Sequence, residues 1–576
     1  MRRSNYDLQP RVRVSNRADD VTTGWPAIVA ALAGPGITVV ECYPGAPVGG
    51  AVAAWAAHAP ATRVLDTRAL FRDPADIAAD LAPVLTDDRV FGRLEPIGID
   101  LFLDAACVED ARATLADAPG PVAVIGPGAA HIAQSWDRLA HVSMARWELQ
   151  RRQRGGEIGS LGADGTEAGS GAAALYKRAF FVDWRVGDRI KTALITRIDH
   201  VIDCNAATPK MIAGEVWRAA LAHCTTRPIR LVPFFDPGPW GGQWMREHFG
   251  LPDGPQNYAW CFDCVPEENS LVLGFGDVDV ELPALNLVLA QPRALLGDDV
   301  FARFGAEFPI RFDLLDTMDG GNLSLQVHPR AEYARERFGL SYTQDESYYL
   351  LDAEPGGVVY LGLRDDADPA ALTAALRTAQ TGGPAFPAAD YVNVLPAYKH
   401  DHFLIPAGTI HCSGAGAMVL EISATPYIFT FKLWDWGRLG LDGRPRPIHL
   451  DHGLANLAWD RREAFTSAEL VNTLTPIAQT AGYRIERTGL HALEFIETER
   501  TWFTGPMPFD TQGTLNVLNL VEGEAALVQS PTHAFAPFEV HYAETWIMPA
   551  AVGGYTVRPL AHSAGPLGVL RAFVRV

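Results

Sequence analysis

Basic residues are in short supply. The 576-residue chain holds 48 Lys and Arg against 68 Asp and Glu, a formal charge of −20. A broad electrostatic grip on nucleic acid or anionic lipid needs clustered cations, so neither is expected as a partner. A local basic pocket for a phosphorylated small molecule stays compatible with that balance. Long apolar runs are missing too. No stretch of about 18 apolar residues occurs, so no membrane span is expected. The basic start, MRRSNYDLQPRVRV, is not followed by an apolar stretch, so no secretory signal is expected either. Cysteine is sparse: seven residues, scattered and odd in number. That usage fits a reduced, cytoplasmic setting. Cys261 and Cys264 have C-x-x-C spacing, but without a second pair they read as incidental thiols in a β segment.

What is present is ordinary globular material, 48% apolar and 20% charged, too long for one core. Three domains are expected: 1–226, 227–450 and 451–576. The first reads as α/β. The run GITVVECY at 36–43 is a buried strand entering the turn PGAP, and a small-residue helix follows. PVAVIGPG at 121–128 repeats the strand-then-glycine pattern. Strands spaced by helices argue for a parallel sheet. Residues 155–174, rich in Gly, Ser and Ala, read as a mobile loop. Residues 176–221 read as helical, including RIKTALITRIDHVI at 189–202. After residue 227 the texture changes to strands between Gly and Pro turns, at 229–235, 270–275, 357–363, 403–406, 418–422 and 428–434. This is the pattern of an antiparallel jelly roll. Helical inserts are expected at 299–304 and 369–380. A last β-rich block runs from 492 to 576, with strands at 514–521 and 567–574.

One constellation carries chemistry. Gln326 and His328 are two apart, so in a strand they point to the same face. Pro329 ends that strand. Glu346 opens another apolar strand. His411 follows a Pro-Ala-Gly-Thr-Ile turn that aims it inward. Two His, one Glu and one Gln suit Zn²⁺, with Fe²⁺, Mn²⁺ or Co²⁺ as other divalent candidates. A single strand histidine is more often a surface or core residue than a ligand. The ordered set is what carries the reading.

At these residues the chain resembles type I mannose-6-phosphate isomerases, a cupin family. NLSLQVHP at 322–329 and IPAGTIH at 405–411 match that family's signature stretches. WGGQWMREHFG at 240–250 resembles its opening segment. FPIRFDLLD at 308–316 resembles the strand before its metal motif, and Glu421-Ile422 with TFKLWDWGR at 430–438 its late block. The resemblance covers residues 228–576. It implies that Gln326, His328, Glu346 and His411 are zinc ligands, and that the reaction is aldose–ketose isomerisation through an enediol. It further implies Glu421 as acid/base group, with Lys432 where the family has its active-site Arg. Arg438 has the same strand parity as Lys432. Ser324 has the parity of the ligands and can meet the substrate.

Three positions depart from the family pattern. Gln344 and Asp313 stand where it carries Lys, and Lys432 replaces Arg, a point charge for a planar two-pronged donor. All three weaken the cationic recognition that a phosphate dianion needs. The substrate is then an unphosphorylated sugar, or a phosphosugar held by other groups such as Lys399 or Arg444.

The first 226 residues loosely resemble small P-loop nucleoside or sugar kinases. WDRLAHVSMAR at 136–146 is like a late strand of those kinases. ELQRRQR at 148–154, with Arg151, Arg152 and Arg154, is like a lid helix. The phosphate loop requires Lys and a hydroxyl, and GAPVGGA at 45–51 has neither, which implies a degenerate kinase. Two functions therefore compete: a sugar or sugar-phosphate isomerase fused to a regulatory domain, and a non-catalytic carbohydrate sensor. Oxygenase chemistry is a third class, disfavoured by the glutamine and the complete isomerase signature. The oligomeric state is left open.

Overall fold

A computed structural model describes residues 5–163, 171–424, 429–440, 443, 446–489, 494–560 and 565–575. Arg444 and residues 164–170 of the expected loop lie outside that set. The described chain divides into two compact units that are not contiguous in sequence. An α/β unit holds Arg11–His223 and Ser270–Ala290; a β-rich unit holds Met1–Pro10, Cys224–Asn269 and Gln291–Val576.

In the α/β unit, five parallel strands run in the order Arg63–Asp66, Val122–Gly126, Ile37–Cys42, Arg138–Ser143 and His200–Asp203. In chain order that is second, third, first, fourth, fifth. Lys210–Ala213 and Thr22–Thr23 extend one edge antiparallel. Val and Ile fill the central strands, buried on both faces as a sheet covered by helices requires. The second glycine turn is capped from within. Glu41 accepts from Gly128 N at 2.7 Å and Ala130 N at 2.8 Å, and burial pushes its carboxyl up to about 7.

The helical reading of 176–221 is corrected. Helix continues only to Leu194 and resumes at Gly214–Cys224. His200–Asp203 between them is a strand of the parallel sheet. Its Val201 and Ile202 are β-branched and buried in the sheet, where the pleat accommodates them. A short apolar run does not reveal its period, so helix and strand look alike in sequence.

The 270–275 strand is present as Ser270–Phe275, but it belongs to the α/β unit. It pairs antiparallel with Val278–Pro283 and parallel with Arg11–Ser15. The expected 229–235 strand shrinks to Phe234–Asp236 plus an isolated bridge from Ile229 to Ile547. Pro233 between them has no N–H to give to a ladder.

The β-rich unit contains two antiparallel sandwiches. In the first, six strands run Phe234–Asp236, Trp260–Cys264, Arg311–Asp316, Ala417–Ser423, Glu346–Ala353, His402–Ile405. Five others run Val392–Pro396, Val358–Leu363, His411–Ser413, Leu325–Val327, Phe431–Trp434. The helical inserts fall at Asp298–Phe304 and Pro369–Gln380, the latter started by Asp368, which caps Ala371 N. The second sandwich, built on Ile496–Phe503, Asn516–Glu522 and Leu567–Val574, is filled between its sheets by Phe503, Leu518, Val528, Trp546, Tyr555 and Val569. The N-terminal residues join this unit: Tyr6 stacks on Phe249 at 3.9 Å and donates to Asp263 at 2.6 Å. Among the described residues no helix is long and apolar enough to cross a membrane.

His402 is 1% exposed, and neither ring nitrogen has a hydrogen-bond partner. Burial, aided by Arg500, lowers its pKa from 6.5 to about 3. The unfolded chain therefore binds a proton that the folded chain refuses. Stability from the neutral ring is full above about pH 6.5 and is lost as pH falls toward about 3. At pH 5 the loss is about 2 kcal/mol. His402→Phe keeps an aromatic ring beside Tyr349, at 5.6 Å in the parent, and has nothing to protonate. Urea unfolding at pH 7 and pH 5 is expected to show a smaller acid loss for the variant, by about that amount.

Candidate metal centre

The four expected ligand residues come from both sheets of the first sandwich. Gln326 lies in Leu325–Val327 and is directly opposite His411, which opens the neighbouring strand. His328 follows that strand by one residue. Glu346 opens Glu346–Ala353 in the facing sheet. His328, Glu346 and His411 each offer one atom, all within 4.8 Å of one another, and all three residues are buried. Each carboxylate oxygen of Glu346 faces one imidazole: Oε1 lies 2.9 Å from His411 Nε2, and Oε2 lies 3.1 Å from His328 Nε2. The Gln326 amide lies 3.3 Å from His411 Nε2, and a half-turn about its last bond presents its oxygen there.

The outer nitrogens fix the tautomers. His328 Nδ1 donates to Phe429 O at 2.9 Å, and His411 Nδ1 donates to Thr409 O at 2.8 Å. Each ring then turns its Nε2 toward Glu346, and when the ring is neutral that nitrogen is a lone pair, an arrangement seen around bound metals. His328 Nε2 and Glu346 Oε1 are buried without hydrogen-bond geometry to any partner. Without a shared proton the lone pairs of a carboxylate and two imidazoles do not attract one another, and a cation can take that proton's place among them. The donor set of two imidazoles, one carboxylate and one amide oxygen fits a divalent transition metal. Burial raises the Glu346 carboxyl, but the imidazoles of His328 and His411 overcome it and hold the group well below its usual range.

Around this set the other candidates fall into two groups. Glu421 lies opposite Asp313 on one side and Tyr348 on the other, so the three share a face of the sheet with Glu346. Burial, then the charges of Glu346 and Asp313, push the Glu421 carboxyl well above its usual range. Lys432 is the ladder partner of Gln326, which puts its side chain on the same face as the ligands.

The second group surrounds Asp435. Ser324, two residues before Gln326, donates to Asp435 Oδ1 at 3.1 Å. Arg438 Nη2 lies 2.6 Å from the same oxygen, and Arg446 Nη1 reaches Asp435 Oδ2 at 2.8 Å and Ser324 Oγ at 3.2 Å. Lys399 stands apart: it pairs with Glu522 at 2.6 Å and lies over the Tyr542 ring.

Several residues here were not singled out in the sequence. Arg311 contacts Asp313 at 3.1 Å, so a cation is supplied two residues before the position where lysine was expected. Its equal parity with Asp313 was the available signal. Arg446 follows a stretch with no pattern and gave none. In the α/β unit, Arg151 and Arg152 both bind Glu148, at 2.7 and 2.6 Å, and so are ion-paired to their own helix.

Residues 24–226 match a family model described only as a domain of unknown function. A mannose-6-phosphate isomerase of Streptococcus mutans is 29% identical over 220 residues, 37% of this chain and 63% of that protein. This chain thus spans less than two thirds of that relative's length. A probable mannose-6-phosphate isomerase of Bacillus subtilis, GmuF, is 23% identical over 338 residues, 58% of this chain and 96% of that protein. A solved structure described as mannose 6-phosphate isomerase, holo and zinc bound, is 16% identical. It covers 61% of this chain and 100% of its own, with a TM-score of 0.46. The curated relatives point to the cupin-type mannose-6-phosphate isomerase family.

Proposed function

We propose that the β-rich unit is a zinc-dependent aldose–ketose isomerase acting on a sugar phosphate of the mannose 6-phosphate/fructose 6-phosphate type. The observation that supports it most is the convergence of His328, Glu346 and His411, all buried, with one ligand atom from each within 4.8 Å of the others. Gln326, His328, Glu346 and His411 would hold the ion, whose chemistry is to polarise the sugar carbonyl and stabilise negative charge on its oxygens. Glu421 is our candidate for moving the proton between C1 and C2: its carboxyl is buried on the ligand face, and burial with the nearby Glu346 and Asp313 charges raises its proton affinity, so its carboxylate would be a stronger base than an exposed one. Lys432 presents a cation on the same face. Ser324, Arg438 and Arg446 offer a hydroxyl and two guanidinium groups for a phosphate, with Asp435 holding them in place. These groups answer the loss of cations at Gln344 and Asp313.

Zinc-loaded protein is expected to convert mannose 6-phosphate far better than mannose. Arg446→Ala is expected to raise KM for the phosphosugar by about 10–100-fold, the loss of roughly 1.5–3 kcal/mol from one charge-assisted bond. Steady-state kinetics on both sugars check it; equal KM for parent and variant points to a free sugar. Saturable sugar binding without turnover points instead to the carbohydrate sensor.

For the α/β unit the reading is a kinase-like domain without nucleotide chemistry. A cavity of about 660 Å³ lies at the carboxyl ends of its strands, lined by residues 45–49, Asp66, Arg68, Arg72, Pro127 and residues 157–163. Parallel sheets bind ligands at that edge. The loop lacks Lys and a hydroxyl, and Arg68 is already paired with Asp66 at 2.6 Å. Calorimetry with Mg–ATP is expected to show no saturable binding.

A further inference from the structure

Gln344 occupies a position that the metal motif does not explain. It is 2% exposed and lies two residues before Glu346. Its amide is used at both ends. Nε2 donates to Glu346 Oε2 at 2.9 Å, and Oε1 accepts from Phe429 N at 3.1 Å. The carbonyl of that same Phe429 accepts from His328 Nδ1 at 2.9 Å. One side chain therefore ties the carboxylate ligand to the peptide that orients an imidazole ligand. The loop closes through the ligands themselves, since His328 Nε2 faces Glu346 Oε2 at 3.1 Å.

We propose that Gln344 is a positioning residue of the metal centre, coupling Glu346 to His328 through the Phe429 peptide. The inference rests on the metal reading above. Two physical consequences follow. The donated hydrogen bond uses one lone pair of Oε2, which disfavours a swing of Glu346 to grip the ion through both oxygens. The accepted bond from Phe429 N fixes the peptide plane whose carbonyl sets the His328 tautomer and ring angle. The lysine of the resembling family offers a donor for the first task and no acceptor for the second. Gln344 also leaves the cluster one positive charge poorer than a lysine would, so the carboxylate keeps more of its charge for the cation. Partners one step removed from an ion commonly alter its affinity by about 10–100-fold.

Three variants of the full chain separate the two halves of the bridge. Gln344→Met keeps the length and loses both bonds. Gln344→Lys can donate to Glu346 but cannot accept from Phe429. Gln344→Glu can accept from Phe429 but, when ionised, cannot donate. Each is loaded with Co²⁺, whose visible absorption reports ligand geometry, and its affinity is measured by competition with a chelator. All three are expected to bind Co²⁺ about 10–100-fold more weakly and to show shifted bands. A Gln344→Lys protein with the parent's affinity and spectrum overturns the proposal, because the Phe429 half is then idle. Parent-like behaviour of Gln344→Met also overturns it. Unfolding of the metal-free proteins is followed in parallel: lower stability with unchanged bands means a purely structural residue, and overturns the proposal too. If Gln344→Met does not fold, the Lys and Glu variants decide. A parent that takes up no cobalt overturns both this inference and the metal reading. A parent that takes it up without isomerising sugars overturns only the isomerase.

Discussion

His411→Ala is expected to abolish metal retention and turnover together. The parent ring presents its Nε2 at 2.9 Å from Glu346 Oε1, with its Nδ1 held by Thr409 O. Alanine removes one of three charged or imidazole donors and opens a void where the ring stood. The loss of affinity is expected to exceed the roughly 100-fold upper range for partners beyond the ligands themselves. Metal content after dialysis against a chelator measures it directly. Thermal unfolding gives a second reading. A ligand that binds only the folded state stabilises it by about 4 kcal/mol at a thousand times its dissociation constant. Added zinc should raise the parent's midpoint and leave the variant's nearly unmoved. The metal-free variant should also be less stable than the metal-free parent, because deleting a fully buried ring leaves a void and leaves Thr409 O without its donor, a loss of about 2–5 kcal/mol. A variant that retains zinc like the parent would remove His411 from the ligand set.

The convergence of Gln326, His328, Glu346 and His411 was legible because its geometry is written locally. Gln326 and His328 declare their common face through a two-residue interval, and Pro406 with Gly408 announces the turn that delivers His411. Three things were not legible, each for a physical reason. The Asp435 cluster joins Ser324 to Arg446 across more than a hundred residues, and no period or turn records such a contact. The 270–283 hairpin has the alternation of a jelly-roll strand pair, yet its edge is taken by Arg11–Ser15 from the far end of the sequence. Hydrogen bonding along a strand edge depends on which partner arrives, and pattern does not specify that. The strand His200–Asp203 is too short to show a period, and only its place beside Arg138–Ser143 makes it extended. Gln344 is a mixed case. Its departure from the family lysine was visible, whereas its bond to Phe429 N depends on a segment 85 residues away.

Glu421→Gln should lower kcat by about 10²–10⁴-fold, the usual contribution of a positioned acid–base group, while leaving zinc bound. Two effects oppose each other at this residue, and that makes the substitution informative. Glu421 is buried on one sheet face with Glu346 and Asp313, and burial followed by those two charges pushes its carboxyl upward. Arg311 acts against that rise but does not reverse it. A neutral amide of the same shape relieves it, so Gln is expected to leave stability unchanged or raise it. If Glu421 were only a wall carboxylate, the variant would therefore be a stable and active enzyme. If Glu421 moves the proton, the variant is stable and nearly inert. Zinc content, the unfolding midpoint and kcat on mannose 6-phosphate, measured on one preparation, distinguish the two. Exchange of the C2 proton with solvent deuterium adds the last constraint: it should fall in step with kcat when Glu421 carries the proton, and persist when it does not.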